Sequence, residues 1–476
     1  GQNFGAQVTC YVGTNSYYQE YQPMKGYMSS VDPRLHFGLG DATSIDSIQI
    51  LWPNGKQSLL IAIPTNQLIV PSPEETTIET TIPSDTTSIF TPANLSIPFA
   101  HQESDFVDFD RDRLRFWMIS NEGPKAAKAD INKDSLEDVF IPGAKGQASS
   151  LLIQSAQGDF KKSNQELFNK DSLAEDILGH FFDANGDGLQ DLIIGAGGIE
   201  FSDFSTNYRD RLYLNKGNDN FIKSDQLFSQ KPTAFILSTD LDGDGDEDLI
   251  VGYRTVPFAY GIPTGIEIWH NDGKGSFTNS SKSYTNEFES IGMLTDGKWA
   301  DLNQDGTMEL ILCGEWMPIR VFSFLNGDFI ETSSSFNFQN TRGLWNTLLV
   351  EDLTGDGLPD IFGGNLGLNT RLHTSQEDQL QLVINDFDQN GSIEQILVSH
   401  KSGKSIPWTM RNALIKQLPS LRKQLTTYAS YSNKSLEELF SSDIFSKSIT
   451  LSVDKLESTL WVNQGDGTFR EAFLPQ

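Results

Sequence analysis

Short runs of apolar residues alternate with polar, glycine-rich segments along most of this chain. The runs at residues 234–237, 249–251 and 347–350 are rich in Leu, Ile and Val and are too short for helices. Such runs, bounded by Gly, Asp and Asn, are typical of β-strands joined by tight turns. No run approaches the ~18 consecutive apolar residues that a membrane-spanning helix needs. The pattern therefore predicts an all-β protein without a transmembrane helix.

The first 72 residues form a distinct segment. Strands are predicted at residues 7–12, 45–52 and 66–70, where apolar residues alternate or run together. The segment that follows is rich in Thr, Ser and Pro, a composition typical of linkers. We therefore predict a small β-domain at 1–72, a linker at 73–100 and a second domain at 101–476.

One part of the second domain departs from the strand pattern. Between residues 408 and 446, leucines recur at helical spacing, at positions 414, 418, 421 and 425. Ser435 and Glu438 match the Ser-x-x-Glu pattern of a helix capping box. We therefore predict a helical insertion at about 408–446. A lid packed on the rim of the domain is the favoured interpretation, and docking of a partner is the other. Docking would use the basic residues Lys416, Arg422 and Lys423.

A nine-residue pattern of acidic and amide residues recurs six times in the second domain. The most regular copy begins at Asp240 and reads D-L-D-G-D-G-D-E-D. Successive copies start 34 to 61 residues apart, a spacing typical of a repeat architecture. The other copies begin at Asp130, Asp183, Asp301, Asp352 and Asp386.

The chemistry of these loops favours calcium. Carboxylates at positions 1, 3, 5 and 9 can converge on one centre, and glycine at position 6 permits a left-handed turn. Flexible loops with only oxygen ligands suit Ca²⁺, and without a cation the carboxylates would repel one another. An EF-hand is excluded, because position 12 is Ile, Val, Leu or Gly in every copy, where EF-hands carry a bidentate Glu. We expect about four to six calcium ions.

The predicted metal ligands are the residues at positions 1, 3, 5, 7 and 9 of each loop. The loops at 183, 240 and 301 are expected to be filled, and the loop at 130 should bind although Ser135 replaces its glycine. The loops at 352 and 386 should bind most weakly. In chain order the ligands are Asp130, Asn132, Asp134, Leu136, Asp138, Asp183, Asn185, Asp187, Leu189, Asp191, Asp240, Asp242, Asp244, Asp246, Asp248, Asp301, Asn303, Asp305, Thr307, Glu309, Asp352, Thr354, Asp356, Leu358, Asp360, Asp386, Asp388, Asn390, Ser392 and Glu394.

The loop pattern, followed by an apolar strand and Gly as at residues 193–197, resembles the FG-GAP or VCBS repeat. A second phrase, Asn-x-Gly after an apolar run, recurs at Asn215, Asn271 and Asn463 and predicts hairpins. The resemblance implies that each repeat is one four-stranded blade of a calcium-binding β-propeller. Six to seven blades are expected.

The N-terminal segment resembles the ASPIC/UnbV domain through its phrases at residues 26–30, 32–40 and 52–56. That domain accompanies FG-GAP repeats in cartilage acidic protein and in Bacteroidetes-type surface proteins. The two resemblances together imply an all-β chain. It would combine a small ASPIC/UnbV domain, an FG-GAP propeller and a helical insertion.

Closure of the propeller ring has two possible solutions. Residues 101–129 could supply strands that close a smaller ring. Otherwise a missing downstream segment or a partner chain fills a gap. We favour seven blades in the full-length protein, because the sequence stops at a repeat boundary.

Charge and motif content narrow the possible functions. The net charge of −29 argues against nucleic acid, whose phosphates require clustered Lys and Arg, and against anionic membrane surfaces. Six histidines occur without a metalloprotease or nucleophile motif. The two cysteines, Cys10 and Cys313, are expected to fill apolar strand positions rather than to form a disulfide.

We therefore expect a non-catalytic, calcium-stabilised binding or scaffold protein that is secreted or held at the cell surface. By resemblance, its partner would be a protein or a glycan, and it could be an accessory of an outer-membrane nutrient-uptake or adhesion complex. Any lipoprotein anchor would lie upstream of this chain. The alternative is a carbohydrate-active enzyme with its site in the propeller funnel. An acidic pair there, away from the calcium loops, would favour that alternative.

Overall fold

A computed structural model describes residues 3–26, 29–73 and 97–472. The chain divides into two compact units, Gly1–Asn94 and Leu95–Gln476. Most of the predicted linker at 73–100 lies outside the described residues.

The smaller unit is built on a four-stranded antiparallel sheet with the strand order β2-β1-β5-β6. Apolar side chains alternate with polar ones along β5, and Ile48 and Ile50 pack with Cys10 and Trp52 in the core. A separate pair, β3 and β4, completes the unit. The strands are β1 (Gln7–Val12), β2 (Asn15–Glu20), β3 (Met24–Gly26), β4 (Ser29–Ser30), β5 (Ser44–Leu51) and β6 (Gln57–Pro64).

The larger unit contains five antiparallel sheets in succession, which we number from the first to the fifth. Its strands are short, because each apolar run ends at a glycine-rich or acidic turn. The first sheet consists of β7 (Ala127–Ala129), β8 (Asp138–Ile141), β9 (Ser150–Gln154) and β10 (Phe160–Ser163), and the second of β11 (Asp176–Phe182), β12 (Asp191–Ala196), β13 (Arg211–Asn215) and β14 (Phe221–Lys223).

The next two sheets continue the same meander. The third consists of β15 (Thr233–Thr239), β16 (Asp248–Tyr253), β17 (Ile266–Asn271) and β18 (Phe277–Asn279). The fourth consists of β19 (Met293–Ala300), β20 (Glu309–Met317), β21 (Arg320–Leu325) and β22 (Asp328–Glu331), with β23 (Gly343–Leu344) added beside β20.

The fifth sheet is interrupted in sequence. Its first half is β24 (Thr347–Glu351) and β25 (Asp360–Gly364), and its second half is β30 (Thr459–Asn463) and β31 (Phe469–Ala472). The residues between these halves form another sheet, the inserted sheet, in the order β28-β27-β26-β29. Its strands are β26 (Asp378–Asn385), β27 (Glu394–Lys401), β28 (Lys404–Pro407) and β29 (Ile449–Ser452).

Helices are few and short, and most of them fall between β28 and β29, where the sequence predicts a helical insertion. Their leucines pack against Val383, Ile396 and Val398 of the inserted sheet. The helices are α1 (Asp108–Arg111), α2 (Gln165–Asn169), α3 (Arg411–Gln417), α4 (Tyr428–Tyr431), α5 (Leu436–Leu439) and α6 (Ser442–Phe445), with 3-10 turns at Thr206–Tyr208, Ser281–Ser283, Asn286–Glu289 and Pro419–Lys423.

Each pair of consecutive sheets shares one hydrophobic core. Leu192 packs with Phe140 between the first and second sheets, and Ile193 packs with Ile236 between the second and third. Equivalent cores join the third sheet to the fourth and the fourth to the fifth. The first strands, β7, β11, β15, β19 and β24, also contact one another in sequence order. This face-to-face succession is consistent with propeller blades, and the count of six to seven blades stays a prediction.

The inserted sheet packs on the ends of the neighbouring sheets. Leu382 and Leu397 share a core with Ile199, Tyr260 and Trp316. These three residues lie at or beyond the ends of the second strands β12, β16 and β20. The sixth predicted loop, at 386, therefore belongs to this insertion within the fifth sheet rather than to a further member of the succession.

Candidate metal-binding loops

Each predicted loop joins the first two strands of one sheet in sequence order. We name a loop by the number of its first aspartate. The 130, 183, 240, 301 and 352 loops follow β7, β11, β15, β19 and β24, and the 386 loop follows β26 of the inserted sheet. All six sequence-predicted sites are therefore strand–loop–strand corners.

All six loops share one pattern of hydrogen bonds. The side chain at position 1 accepts from the backbone N–H at position 6, as Asp183 does from Gly188 at 2.7 Å. The side chain at position 5 accepts from the N–H at position 7, as Asp187 does from Leu189 at 2.9 Å. The same two bonds recur in the other five loops. These bonds orient the side chains at positions 1 and 5.

Position 6 adopts the left-handed conformation in every loop, as the glycine pattern predicts. Its φ is between 77° and 94° in the five loops with Gly, at residues 188, 245, 306, 357 and 391. Ser135 takes the same conformation, with a φ of 68°. Because a side chain at positive φ is strained, the 130 loop forms at an energetic cost that its relatives avoid.

Two loops bring three carboxylates together. The oxygens of Asp240, Asp242 and Asp244 lie within 4.8 Å of one another, and so do ligand atoms from Asp386, Asp388 and Glu394. In the other four loops, position 3 is an amide or a hydroxyl, from Asn132, Asn185, Asn303 and Thr354.

The 386 loop is better assembled than its sequence suggested. A buried oxygen of Asp388 has no hydrogen-bond partner in the described part of the chain. The donor set therefore fits a cation that takes only oxygen ligands. The predicted ranking of the loops stays a prediction.

The carboxylate at position 9 is buried in every loop. It accepts from the N–H at position 2, as Asp191 does from Ala184 at 3.0 Å. Burial raises the pKa of Asp191 to about 6 and that of Glu394 to about 7. A bound cation would reverse this shift, because it favours the charged form.

A recurrent asparagine ties three of the loops, the 130, 183 and 301 loops, to the sheet that follows each of them. The side chain of Asn215, on the second sheet, donates to the carbonyl of Ile131, at position 2 of the 130 loop, at 2.9 Å. Asn271 donates likewise to Ala184 at 3.0 Å, and Asn463 to Leu302 at 2.7 Å.

Each asparagine also bonds its own loop. Its side chain donates to the carbonyl at position 8, and its backbone N–H donates to the carboxylate at position 9. The sequence had indicated only a hairpin turn at these residues. Their main role is a buried link between neighbouring sheets, which we call the asparagine link.

Within the described residues, the asparagine link is absent from the 240, 352 and 386 loops. In the fourth sheet Phe324 takes the asparagine's position, and Glu309 accepts instead from the Ser323 hydroxyl at 3.1 Å. No described sheet follows the fifth sheet in the succession. Accordingly Leu353, at position 2 of the 352 loop, is 45% exposed, whereas the equivalent residues of the four earlier loops are at most 6% exposed.

His270 lies beside the carboxylates of the 240 loop, a position that the sequence did not predict. It precedes Asn271, where the second and fifth sheets carry Leu214 and Val462. Its Nδ1 lies 3.2 Å from an oxygen of Asp242 and 3.2 Å from an oxygen of Asp248. The sequence feature that could have indicated this position is a histidine directly before the Asn-x-Gly motif.

An acidic pair, Glu175 and Glu200, lies away from the loops. Glu200 Oε2 and Glu175 Cγ lie 2.1 Å and 3.0 Å from the point where a Cβ on Gly198 would stand. Glu175 is 1% exposed and accepts from the Lys145 N–H at 2.6 Å. Burial, with a smaller effect of the Glu200 charge, raises the pKa of Glu175 to about 9.

Comparisons with known families agree with this architecture. Residues 2–78 match the family described as ASPIC and UnbV. Residues 183–251, 240–312 and 301–363 match the FG-GAP-like repeat, and these segments include the 183, 240, 301 and 352 loops. The chain thus carries an ASPIC/UnbV domain followed by FG-GAP-like repeats.

Comparisons with individual proteins give weaker similarities than the family comparisons do. No curated protein matches the chain. The crystal structure of the V. cholerae biofilm matrix protein Bap1 is similar over 71% of this chain, at 12% identity and a TM-score of 0.24. The chain spans 53% of the length of that structure.

Replacing Asn271 tests the asparagine link. Asn271→Ala leaves the carbonyls of Ala184 and Glu247 without their donor, and each unsatisfied buried group costs about 1–3 kcal/mol. We expect the free energy of unfolding to fall by about 2–4 kcal/mol, measured by urea denaturation. The control is Asn220→Ala, at an exposed position. Equal stabilities of the two variants would contradict the link.

Glu175 predicts a pH dependence of stability. Because its folded pKa of about 9 lies above the ordinary 4.5, the folded protein keeps a proton that the unfolded chain releases. Stability is therefore lost as pH rises between these values. Glu175→Gln cannot release a proton, so its melting temperature should rise relative to wild type from pH 5 to pH 9. The exposed Glu166→Gln serves as the control, and a difference independent of pH would refute the expectation.

Proposed function

We propose that this protein is a non-catalytic, calcium-stabilised binding or scaffold protein of the cell surface or the extracellular medium. The observation that carries the proposal is the set of six loops with one shared geometry. Each loop orients its oxygen donors by the same backbone hydrogen bonds. FG-GAP-like repeats in the same segment support this interpretation.

Calcium is the proposed ion because the donors are oxygens and the loops are irregular. Positions 1, 3, 5 and 9 would supply side-chain oxygens, and position 7 would supply its backbone carbonyl. Four to six ions would neutralise part of the net charge of −29. In the metal-free protein, the position-9 carboxylates whose pKa is raised by burial, such as Asp191 and Glu394, would oppose folding when ionised.

The helical insertion offers a surface for a partner. Residues 401–447 contain eight basic and three acidic residues in a chain that is otherwise strongly acidic. Lys416, Arg422 and Lys423 are exposed and form no ion pair with any described residue. We call these three side chains the basic face.

Buried leucines support the helical segment that carries the basic face. Leu414, Leu418 and Leu421, on the same helical segment, are buried against the inserted sheet. The insertion is therefore packed against the inserted sheet and can still present charge to a partner. We propose an acidic protein or an acidic glycan as that partner, because opposite charge steers and stabilises association.

The proposed place of action is the outer-membrane surface or the extracellular space, as an accessory of a nutrient-uptake or adhesion complex. FG-GAP-like repeats beside an ASPIC/UnbV domain support this location. Within the described residues, no helix combines the length and the apolar character needed to cross a bilayer.

A carbohydrate-active enzyme is the second candidate, and Glu175 with Glu200 is the observation that favours it. Two features weigh against it. Glu175 is almost fully buried, so a substrate cannot reach it without rearrangement. A small pocket beneath the inserted sheet is lined by Arg115, Trp117, Tyr260, Trp316 and neighbouring residues, none of them Asp or Glu.

Removal of calcium should destabilise the larger unit. Extracellular sites bind with dissociation constants near ~10⁻⁴ M, so each stabilises by about 1.4 kcal/mol at ~1 mM calcium. Four or five sites would contribute about 6–7 kcal/mol, comparable with the whole stability of a domain. Excess EDTA should lower the melting temperature of this unit by many degrees and leave residues 1–72 nearly unchanged. Added calcium should restore it, and a melt unaffected by EDTA would refute the proposal.

Binding through the basic face can be tested with a polysaccharide panel. The purified chain should bind an acidic polymer such as polygalacturonate more tightly than neutral dextran, and should release no reducing ends. Lys416→Glu/Arg422→Glu/Lys423→Glu should abolish binding. The control Lys161→Glu/Lys170→Glu/Lys282→Glu, which makes the same charge change at exposed sites elsewhere, should keep it.

The remaining outcomes decide between the candidates. Released reducing ends that vanish in Glu175→Gln would favour the enzyme. If neither acidic polysaccharides nor acidic proteins bind, the proposal of a basic docking face is wrong.

A further inference from the structure

We propose that the 240 loop contains a subsite for a first-row transition-metal ion such as Zn²⁺, formed by His270, Asp242 and Asp248. The three residues each offer one ligand atom, and these atoms lie within 4.8 Å of one another. Asp242 and Asp248 are also positions 3 and 9 of the 240 loop, so the transition-metal ion would compete with calcium for this one loop. The subsite does not depend on calcium binding at the other loops.

The nitrogen of His270 sets this subsite apart from the other loops. Calcium takes oxygen ligands, whereas imidazole together with carboxylates suits Zn²⁺ and its neighbours in the first transition row. In the 183 and 352 loops, the equivalent positions are Leu214 and Val462, which have no ligand atom. The 183 and 352 loops can therefore be compared with the 240 loop to show what the histidine adds.

The distances fit a small tetrahedral ion. His270 Nδ1 lies 3.2 Å from each of the two carboxylate oxygens. Ligand atoms at ~2.0–2.1 Å from a tetrahedral zinc ion are about 3.4 Å apart. Since Asp242 is partly exposed, the fourth position would be open to water.

The contacts of the His270 ring are compatible with Nδ1 as a metal ligand. Nδ1 is buried and, despite the two nearby oxygens, has no hydrogen-bond partner among the described residues. Nε2 lies 2.8 Å from the hydroxyl of Tyr284, whose ring stacks on the imidazole. In the tautomer with its proton on Nε2, that proton is donated to Tyr284 and Nδ1 is free to bind a metal. A second-shell hydrogen bond of this kind orients metal-binding histidines generally.

The two carboxylates are positioned by other contacts. Asp248 is buried and accepts from the N–H groups of Leu241 and Asn271 at 3.1 Å and 2.8 Å. Asp242 accepts from the Asp244 N–H at 3.3 Å. The backbone thus holds both acidic ligands without help from His270.

Titration of the metal-free protein with Co²⁺, and then with Zn²⁺ as competitor, tests the subsite. Wild type should bind one equivalent of Co²⁺ with a visible absorption band of a nitrogen-ligated, low-coordinate ion, and Zn²⁺ should displace it. His270→Leu, which makes the position resemble Leu214, should lose the band and weaken Zn²⁺ binding at least ten-fold. Tyr284→Phe should keep the band but weaken binding by about 10–100-fold, as loss of a second-shell partner does.

Two controls separate this result from misfolding and from the calcium proposal. His373→Leu removes a histidine that also faces one carboxylate, Asp378, at 3.1 Å, and should leave the titration unchanged. His270→Leu should retain the stabilisation by calcium, which shows that the fold and the other loops are intact. The proposal is overturned if wild type gives no such band, or if His270→Leu binds Zn²⁺ as tightly as wild type does. Loss of the calcium effect in wild type would instead contradict the proposed function.

Discussion

A buried carboxylate at the end of each loop is the interaction on which the larger unit depends. Asp191 accepts hydrogen bonds from the start of its own loop, at Ala184, and from the hairpin, at Asn215. One charged group therefore fixes three segments of backbone relative to one another. Burying such a charge is costly unless it is paired. The proposed cation would therefore stabilise the buried carboxylate. The loop and the hairpin form one hydrogen-bonded unit, to which the proposed ion would add a counter-charge.

Local patterns in the sequence predicted much of this structure. The six loops, their flanking strands and the helical segment each follow from residues that are close in sequence, so spacing and turn chemistry reveal them. The inserted sheet did not follow, because β25 pairs with β30 across a segment that contains a sheet and four helices. The short step of 34 residues from Asp352 to Asp386 was the only irregularity that indicated it.

The roles of Asn271 and His270 could not be predicted from the sequence, for a related reason. Both side chains act across sheets or between separate strands, and a hairpin motif gives no information about the partner of its side chain. The sequence predicts Asn271 to be a turn residue, but its side-chain amide donates to the carbonyl of Ala184, 87 residues away. The position of His270 becomes meaningful only when Asp242 and Asp248 are seen beside it.

The asparagine links have a direction, and this direction bears on how the chain folds during synthesis or export. The hairpins of the second, third and fifth sheets each hold the loop of the preceding sheet, so these three loops are complete only after the next sheet has emerged. The delay is 84 residues for the 130 loop and 161 residues for the 301 loop, where the insertion intervenes. A chain that has emerged only as far as one of these loops therefore carries that acidic loop in an unfinished state. At these three places, a new sheet stabilises the loop of the sheet before it.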